Sequence, residues 1–171
     1  MVAKLFLEGG CLCESVRYKI TFPEHHDLSK DTLGCICQCT QCRKQTGSFF
    51  LATLTVPVAA IQWQGDSESK IKRFNKTENI DRGFCGTCGS FLFWHPRGKA
   101  ISIATGSLDP LYLLGEGADS TDDRIPSEGF AGQIFSGWFN VEFCESEIKG
   151  ITDDMPVLLK GKRCQGDSSE I

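Results

Sequence analysis

The segment CICQCTQCRKQTGSFF (residues 35–50) places four cysteines within its first eight positions and none in the eight that follow. Cysteine is a small side chain that protein cores tolerate, but a core has no need of it at this density. Within the segment, TQCRKQTG has the composition of a short helix that Gly47 can close. The segment therefore indicates a group held by sulfur, next to one short helix at most.

Ten cysteines in a chain of 171 residues have two ordinary uses, disulfides and metal binding. The opening residues, MVAKLFLEGG, have an apolar patch too short for a signal peptide, and no stretch approaches the roughly 20 apolar residues of a membrane span. We therefore expect a cytoplasmic protein without membrane contact, in which reduced cysteines bind metal. The net charge of -4 also disfavours a nucleic-acid partner, because phosphates attract basic proteins.

The sequence around the cysteines is typical of short β-strands. Residues 15–22, SVRYKITF, alternate apolar and polar side chains with the period of a half-buried strand. Runs rich in aromatic and β-branched residues predict further strands at 49–56, 60–63, 70–74, 90–95 and 100–106. Since no long stretch has a helical period, the sequence predicts a mainly β fold, with one short helix at most near residues 37–47.

Length and composition favour a single domain over residues 1–159. Inside it, GEGADSTDDRIPSEG (115–129) is acidic and turn-rich, which is typical of a solvated loop. Residues 160–171, KGKRCQGDSSEI, are mostly polar and predict a disordered tail.

Seven cysteines fall into three groups whose spacing is typical of metal ligands: C-x-C at 11 and 13 after a predicted Gly-Gly turn, C-x-C-x-x-C at 37, 39 and 42, and C-x-x-C at 85 and 88. A C-x-x-C turn with glycine directs two sulfurs at one point, while backbone N–H groups donate to the thiolates. Four ligands close a structural zinc site, whereas three leave one position open, as in catalytic zinc. Because strand patterns flank the first and last pairs, we predict a structural zinc on Cys11, Cys13, Cys85 and Cys88. The remaining triad, the expected catalytic residues, then holds a second, open zinc on Cys37, Cys39 and Cys42.

Each group also has an alternative interpretation. The four cysteines predicted to hold the structural zinc can instead be buried free thiols, and the triad can be a second structural zinc site completed by Cys35 or a histidine. A C-x-x-C pair can also be a redox couple, although the expected βαβ pattern is missing. Cys144 and Cys164 are interpreted as a core residue and a tail thiol. The histidines are expected at surface or half-buried positions rather than as ligands: His25, His26 and His95.

Three segments in the order GGCLCESVRY, CQCTQCRKQTGSFF and FCGTCGSFLFW resemble the family of glutathione-dependent formaldehyde-activating enzymes and centromere protein V. The resemblance covers roughly residues 7–115. It implies a β-tent fold of small antiparallel sheets assembled around zinc. It also implies a tightly bound structural zinc on Cys11, Cys13, Cys85 and Cys88, and a labile zinc on the triad, where a thiol substrate binds. The implied reaction joins formaldehyde to glutathione as S-hydroxymethylglutathione and belongs to the carbon–sulfur lyases.

The sequence departs from the family pattern in three places. Gln38 stands where histidine is common, Glu14 stands where glycine is common, and an insertion and a tail follow residue 115. The change at Gln38 alters the surroundings of the triad without removing a thiolate.

Charge decides which substrate suits the triad. A divalent ion on three thiolates carries a net charge of about -1 and acidifies water less than an ion on neutral histidines. A thiol has a pKa near ~8.5, so modest assistance ionises it. The charge favours a thiol substrate, and together with the reaction that the resemblance implies it predicts an enzyme of the carbon–sulfur lyase type that acts on an adduct between glutathione, or a similar thiol, and a small carbonyl compound. Arg43 and Ser48 are further candidate substrate contacts, and no residue is identified as a general base.

Two other functions remain open at this point. A zinc-stapled module that binds a protein partner without turnover is the first, and a cysteine redox sensor is the second.

Overall fold

The structure is a computed structural model that describes residues 5–28, 30–31, 33–115, 129–135 and 139–166. It is mainly β, as the sequence predicted, and its described strands are β1 (Phe6–Gly10), β2 (Arg17–Thr21), β3 (Leu33–Cys37), β4 (Leu51–Val56), β5 (Ile61–Trp63), β6 (Ile71–Phe74), β7 (Ile80–Cys85), β8 (Phe91–Pro96), β9 (Ile101–Ala104), β10 (Phe139–Glu142) and β11 (Lys162–Arg163). All six strands predicted from the sequence are confirmed, as β2, β4, β5, β6, β8 and β9.

The strands form two sheets. The smaller sheet has three strands in the antiparallel order β1-β2-β5. The larger sheet has eight strands in the order β11-β10-β3-β4-β9-β8-β7-β6, and its neighbours pair antiparallel except on the two sides of β10. β10 runs parallel to both β3 and β11, so the strand that carries Cys37 lies inside the sheet and not at its edge.

Strand β1 replaces the turn that was predicted at Gly9 and Gly10, so that prediction was wrong. A β-carbon built on Gly9 would lie 2.5 Å from the hydroxyl oxygen of Tyr18 and 2.4 Å from the carbonyl oxygen of Ser107. Glycine is therefore required here for close packing inside a strand and not for bending the chain.

The longest α-helix among the described residues is α1 (Thr40–Thr46), which lies where the short helix was predicted. It ends at Gly47, whose φ of 66° is left-handed and whose N–H donates to the carbonyl of Arg43. Three further helices have only four or five residues each and were not predicted: α2 (Pro110–Leu114), α3 (Ala131–Ile134) and α4 (Pro156–Lys160). Helices this short carry too few residues for a helical period to appear in the sequence.

The core joins the two sheets through fully buried apolar side chains. Tyr18 and Ile20 of β2 belong to the same cluster as Leu54 of β4, Phe93 of β8 and Ile103 of β9. Burial of each such side chain contributes about 1.5–3 kcal/mol. The ends of β1, β3 and β7 therefore sit on a rigid scaffold, and those ends carry the cysteines of interest.

Residues 161–166 differ from the disordered tail that was predicted over 160–171. Lys162 and Arg163 pair with β10, and Cys164 is only 2% exposed. The polar composition of the segment conceals this, because both strand residues are exposed and the only buried side chain of residues 161–166, Cys164, follows the strand. Residues 167–171 lie outside the described residues, as do residues 116–128 of the predicted acidic loop.

No described helix is long and apolar enough to cross a lipid bilayer.

The pairing of β11 with β10 predicts that residues 162–166 contribute to the stability of the fold. A chain that ends at Gly161 loses the backbone hydrogen bonds between Cys164 and Val141 (2.9 Å) and between Cys144 and Cys164 (3.0 Å). It also loses the ion pair between Arg163 and Glu147 (2.6 Å). We expect the truncation to cost about 2 kcal/mol or more, and to lower the melting temperature by about 4–8 °C in a calorimetric scan.

A chain that ends at Gly166 keeps every one of these contacts and is the matched control. Equal melting temperatures for the two truncated chains would contradict the role assigned to β11.

Candidate metal centres and the cleft between them

Four sulfurs meet where β1 and β7 end, and we call them the tetrad: Cys11, Cys13, Cys85 and Cys88. All four Sγ atoms lie within 4.8 Å of one another. The two cysteine pairs are far apart in the chain, and a hydrogen bond joins their turns: the N–H of Leu12 donates to the Ser90 hydroxyl at 3.1 Å. The arrangement fits a tetrahedral metal ion, for which four thiolates are a common donor set.

Backbone and hydroxyl groups surround the tetrad with donors. The N–H of Val16 donates to the sulfur of Cys11 at 3.2 Å, and the N–H groups of Thr87 and Cys88 donate to that of Cys85 at 3.3 and 3.4 Å. The Ser15 hydroxyl lies 3.1 Å from the sulfur of Cys13 and 3.3 Å from that of Cys85. Donors of this kind spread the negative charge that four thiolates bring together.

These donors determine how easily each sulfur ionises. Burial opposes ionisation of Cys85, but the Ser15 hydroxyl and the N–H groups of Cys88 and Thr87 outweigh it and lower the pKa of Cys85 to about 5. The hydroxyl of Ser90 lowers the pKa of Cys88 to about 7. Burial raises the pKa of Cys11. The tetrad thus has two sulfurs that are ready to become thiolates near neutral pH.

Three further sulfurs, which we call the triad, meet between the end of β3 and the start of α1: Cys37, Cys39 and Cys42. They too lie within 4.8 Å of one another. Cys39 is the N-cap residue of α1, and its sulfur accepts the N–H of Cys42 at 3.4 Å. The helix start therefore brings two of the three sulfurs together within one turn.

The triad sulfurs share protons unequally. Hydrogen bonds from the thiols of Cys37 and Cys42 lower the pKa of Cys39 to about 2, with help from the N–H groups of Cys42 and Gln41. The same hydrogen bond to Cys39, then that with Cys42, raises the pKa of Cys37. One sulfur thus holds negative charge while its neighbours keep their protons. A divalent cation bound to the three sulfurs would displace these protons.

A cleft of about 830 Å³ extends from the tetrad to residues that pack against the triad. Cys11 and Cys88 of the tetrad line it directly. The triad sulfurs do not line it. Four lining residues lie beside them, since Gln45 donates to the sulfur of Cys42 at 3.8 Å and the others belong to the same apolar cluster as the triad: Leu51, Phe91 and Ala104. The cleft therefore borders the tetrad directly and the triad through these side chains.

Comparison with known proteins gives the family. Residues 6–121 match the family described as glutathione-dependent formaldehyde-activating enzyme. The chain belongs to this family. No curated protein matches it.

Among solved structures, a crystal structure of a Rhodobacter sphaeroides protein is similar at 16% sequence identity and a TM-score of 0.47. The similarity covers 72% of this chain and 97% of that one. It is too distant to carry an argument about function.

The departures from the family pattern have structural consequences. Glu14, where glycine is common in the family, has a φ of 59° in the left-handed region. This conformation costs a non-glycine residue about 1–2 kcal/mol. Gln38, where histidine is common, is fully buried, and its side-chain nitrogen and oxygen have no hydrogen-bond partner among the described residues. Because a side-chain amide does not take up a proton near neutral pH, Gln38 cannot act as a general base.

The predicted substrate contacts lie near the triad but outside the lining of the cleft. Arg43 donates from Nε to the carbonyl of Phe49 at 2.8 Å and from Nη2 to that of Ser146 at 2.6 Å. Ser48 is exposed just after the helix. Their assignment to substrate binding stays a prediction.

The structure adds residues that sequence reasoning missed. Gln45 donates from Nε2 to the sulfur of Cys42 at 3.8 Å, lines the cleft, and has a buried Oε1 without a partner among the described residues. Arg82 is 8% exposed and donates to Oε1 of Gln41 at 2.6 Å, so it ties β7 to α1. Neither has a sequence signal of its own.

Ser15 and Ser90, in contrast, could have been identified from the sequence. GGCLCES and GFCGTCGS both place serine two positions after their second cysteine. Each hydroxyl contacts that cysteine, at 3.1 Å for Ser15 with Cys13 and 3.2 Å for Ser90 with Cys88.

These contacts predict the reactivity of Cys88 in metal-depleted protein. Because its lowered pKa is about 7, the thiolate forms as the pH rises through 7 and is lost below it. Alkylation by iodoacetamide, followed by peptide mass spectrometry, should give a rate at Cys88 that is half-maximal near this pH. Ser90→Ala removes the main donor and should move the midpoint up by about one pH unit.

Ser48→Ala is the control, since Ser48 is also exposed and no described contact joins it to a cysteine sulfur. A midpoint that stays the same in Ser90→Ala would refute the role of the hydroxyl.

Proposed function

We propose that this chain is a zinc-dependent enzyme of the carbon–sulfur lyase type, acting on an adduct of glutathione or a similar thiol with a small carbonyl compound. The observation that carries the proposal is the triad of Cys37, Cys39 and Cys42, in which three sulfurs converge without a fourth. A tetrahedral ion held by three protein ligands keeps one position for substrate. Membership in the family supports the reaction class.

The alternatives for a fourth ligand receive no support from the described residues. Cys35 belongs to the same apolar cluster as the triad, but its sulfur is not among those that lie within 4.8 Å of one another. His26 stacks on Phe22, and Nε2 of His95 lies 3.2 Å from the carbonyl of Lys99. No histidine of the described residues joins either metal centre.

The proposed cofactor is two zinc ions per chain, one on the tetrad as a structural ion and one on the triad. When bound at the triad, zinc supplies an electrophilic centre that holds a substrate sulfur and lowers the pKa of its thiol. The cytoplasm is the proposed location, because it keeps thiols reduced and none of the ten cysteines forms a disulfide in the structure. The family domain and the C-terminal strands are proposed to work as one unit, since β10 completes the sheet beside β3.

The chemical step balances without any other reactant. In the breakdown direction the C–S bond of R–S–CH2–OH breaks, its electron pair stays on sulfur, and the hydroxyl oxygen forms the carbonyl of formaldehyde. The hydroxyl proton leaves oxygen and the sulfur gains one, so the products are R–SH and formaldehyde. The protein has to hold the sulfur, orient the hydroxyl and keep the reacting atoms together.

Gln45 is placed to orient the hydroxyl. Its Nε2 contacts the sulfur of Cys42 at 3.8 Å, which fixes the amide beside the triad. Its Oε1 is buried without a partner among the described residues, and because Gln45 lines the cleft, a rotation of the amide would bring this acceptor to the substrate. An amide does not remove the proton, so Gln45 acts by positioning.

Substitution of the central triad sulfur is the direct test. Cys39→Ser should lower the zinc content from about two ions to about one per chain and reduce turnover of S-hydroxymethylglutathione by about 100-fold or more. The measurements are metal analysis of the purified protein and release of formaldehyde.

Cys35→Ser, two residues earlier and outside the triad, is the matched control and should keep both zinc and turnover. Equal turnover by the parent protein and Cys39→Ser would remove the enzymatic assignment, and a parent protein with two firm ions and no turnover would favour a binding module.

The role of Gln45 has its own test. Gln45→Leu keeps the size of the side chain but removes the acceptor, and should lower kcat/KM about tenfold, the effect of one lost hydrogen bond in the transition state. The zinc content should stay at two, which separates positioning from metal binding.

Lys44→Leu makes the same change on the exposed side of α1 and should leave kcat/KM as it is. Parallel losses of zinc and activity in Gln45→Leu would show that this residue supports the metal and not the substrate.

A further inference from the structure

A buried arginine shares one face of the larger sheet with the triad. Paired residues lead from Arg82 of β7 across the sheet to β4: Trp94, Ser102 and Thr55. Cross-strand partners lie on the same face of a sheet, and so do residues two or four positions apart in one strand. Leu51 is four positions from Thr55, and its partner in β3 is Cys37. The side chains of Arg82 and Cys37 therefore lie on the same side of the sheet.

The guanidinium of Arg82 is hydrogen-bonded to α1, whose first turn brings Cys39 and Cys42 together. Nη2 of Arg82 donates to Oε1 of Gln41 at 2.6 Å. Gln41 stands between the two cysteines in the chain, and its backbone N–H donates to the sulfur of Cys39. Gln41 thus contacts Arg82 with its side chain and a triad sulfur with its backbone, which places the guanidinium close to the triad.

Burial limits how far water can screen the positive charge of Arg82. The residue is 8% exposed, and its Nη1 is buried without a hydrogen-bond partner among the described residues. On the neighbouring strand β6, the side chain of Arg73 is 40% exposed and pairs with Glu68 at 3.6 Å. Burial of a charge is costly unless an opposite charge compensates it. Arg82 is therefore suited to compensate negative charge at the triad.

The charge of the triad would grow when a substrate sulfur binds. With a divalent ion, three thiolates leave a net charge of about -1, and a fourth thiolate brings it to about -2. The charge already present opposes the added one, whereas a nearby cation favours it, more strongly in buried surroundings than in water. Arg43 is half-buried and Lys44 is exposed, so water screens their charges more than that of Arg82.

We propose that Arg82 is a positioning residue for the substrate sulfur: its buried guanidinium, held beside α1 by Gln41, favours a negatively charged sulfur as the fourth ligand of a metal ion on the triad. The inference rests on the proposed function for the metal ion and for the thiol substrate, but it concerns binding and can fail on its own. Arg82 acts through its charge and through Gln41, without contact with the reacting atoms.

Two ligands of different charge separate this role from a structural one. The thiol β-mercaptoethanol binds a metal ion as a thiolate and carries no other charge, whereas imidazole binds as a neutral molecule. In protein loaded with cobalt in place of zinc, both can be titrated by the change in visible absorption. Arg82→Met removes the charge at a similar length and should raise the dissociation constant of the thiol about tenfold, and that of imidazole less than about twofold.

Three further variants complete the test. Arg82→Lys keeps the charge and should bind the thiol within about threefold of the parent protein. Arg73→Met removes the same charge from an exposed position on β6 and should leave both dissociation constants unchanged. Gln41→Leu keeps the buried arginine but removes its acceptor on α1, and should weaken binding of the thiol relative to imidazole by several-fold.

Four results would overturn the inference. Equal losses of thiol and imidazole binding in Arg82→Met would show a structural role, and a loss in Arg82→Lys as large as in Arg82→Met would exclude the charge as the cause. An equal loss in Arg73→Met would assign the effect to net charge, and an unchanged ratio in Gln41→Leu would refute the link through α1.

Turnover separates this inference from the proposed function. If thiol binding depends on Arg82 as expected and the parent protein cleaves no S-hydroxymethylglutathione, the proposed function fails and the inference stands. If the parent protein cleaves the adduct and Arg82→Met binds the thiol as tightly as the parent does, the function stands and the inference fails.

Discussion

Seven sulfur atoms held in two groups within a few ångströms cannot all carry negative charge unless a cation neutralises them. Burial raises the pKa of Cys11, and hydrogen bonds with the sulfurs of Cys39 and Cys42 raise the pKa of Cys37. N–H groups donate to sulfurs of both groups and hydroxyls contact the tetrad, and a metal ion, which either group could hold, would neutralise the remaining charge.

Sheet geometry is what brings the sulfurs together. Cys11 and Cys85 are far apart in the chain, but each follows or closes a strand, and the two ends meet at one point. The triad uses a different device, since β3 ends at Cys37 and α1 begins after Cys39. The tetrad thus depends on tertiary packing, while the triad is largely local.

Much of this architecture could be predicted from the sequence, because strand alternation and cysteine spacing are local patterns. The division of the cysteines into four and three also followed from spacing, and the structure groups the same residues. The strands that were missed carry glycine, cysteine or charged residues where periodicity needs apolar ones: β1 has Gly9, β3 has Cys35, and β7 has Arg82 inside the sheet. β10 and β11 were missed because their parallel pairs join residues far apart in the chain. Gln45 was missed for a related reason, since its importance comes from contacts with the cleft and not from its neighbours in the chain.

The parallel pairing of β10 with β3 bears on the order in which a ribosome-borne chain is completed. All four tetrad sulfurs and the strands that lead to them have been synthesised once Cys88 is added to the chain. β3, which ends at Cys37, gains β10 as its second neighbour only after Glu142 has been synthesised. During vectorial synthesis, the strands and turns that carry the tetrad are therefore complete before β3 is flanked on both sides.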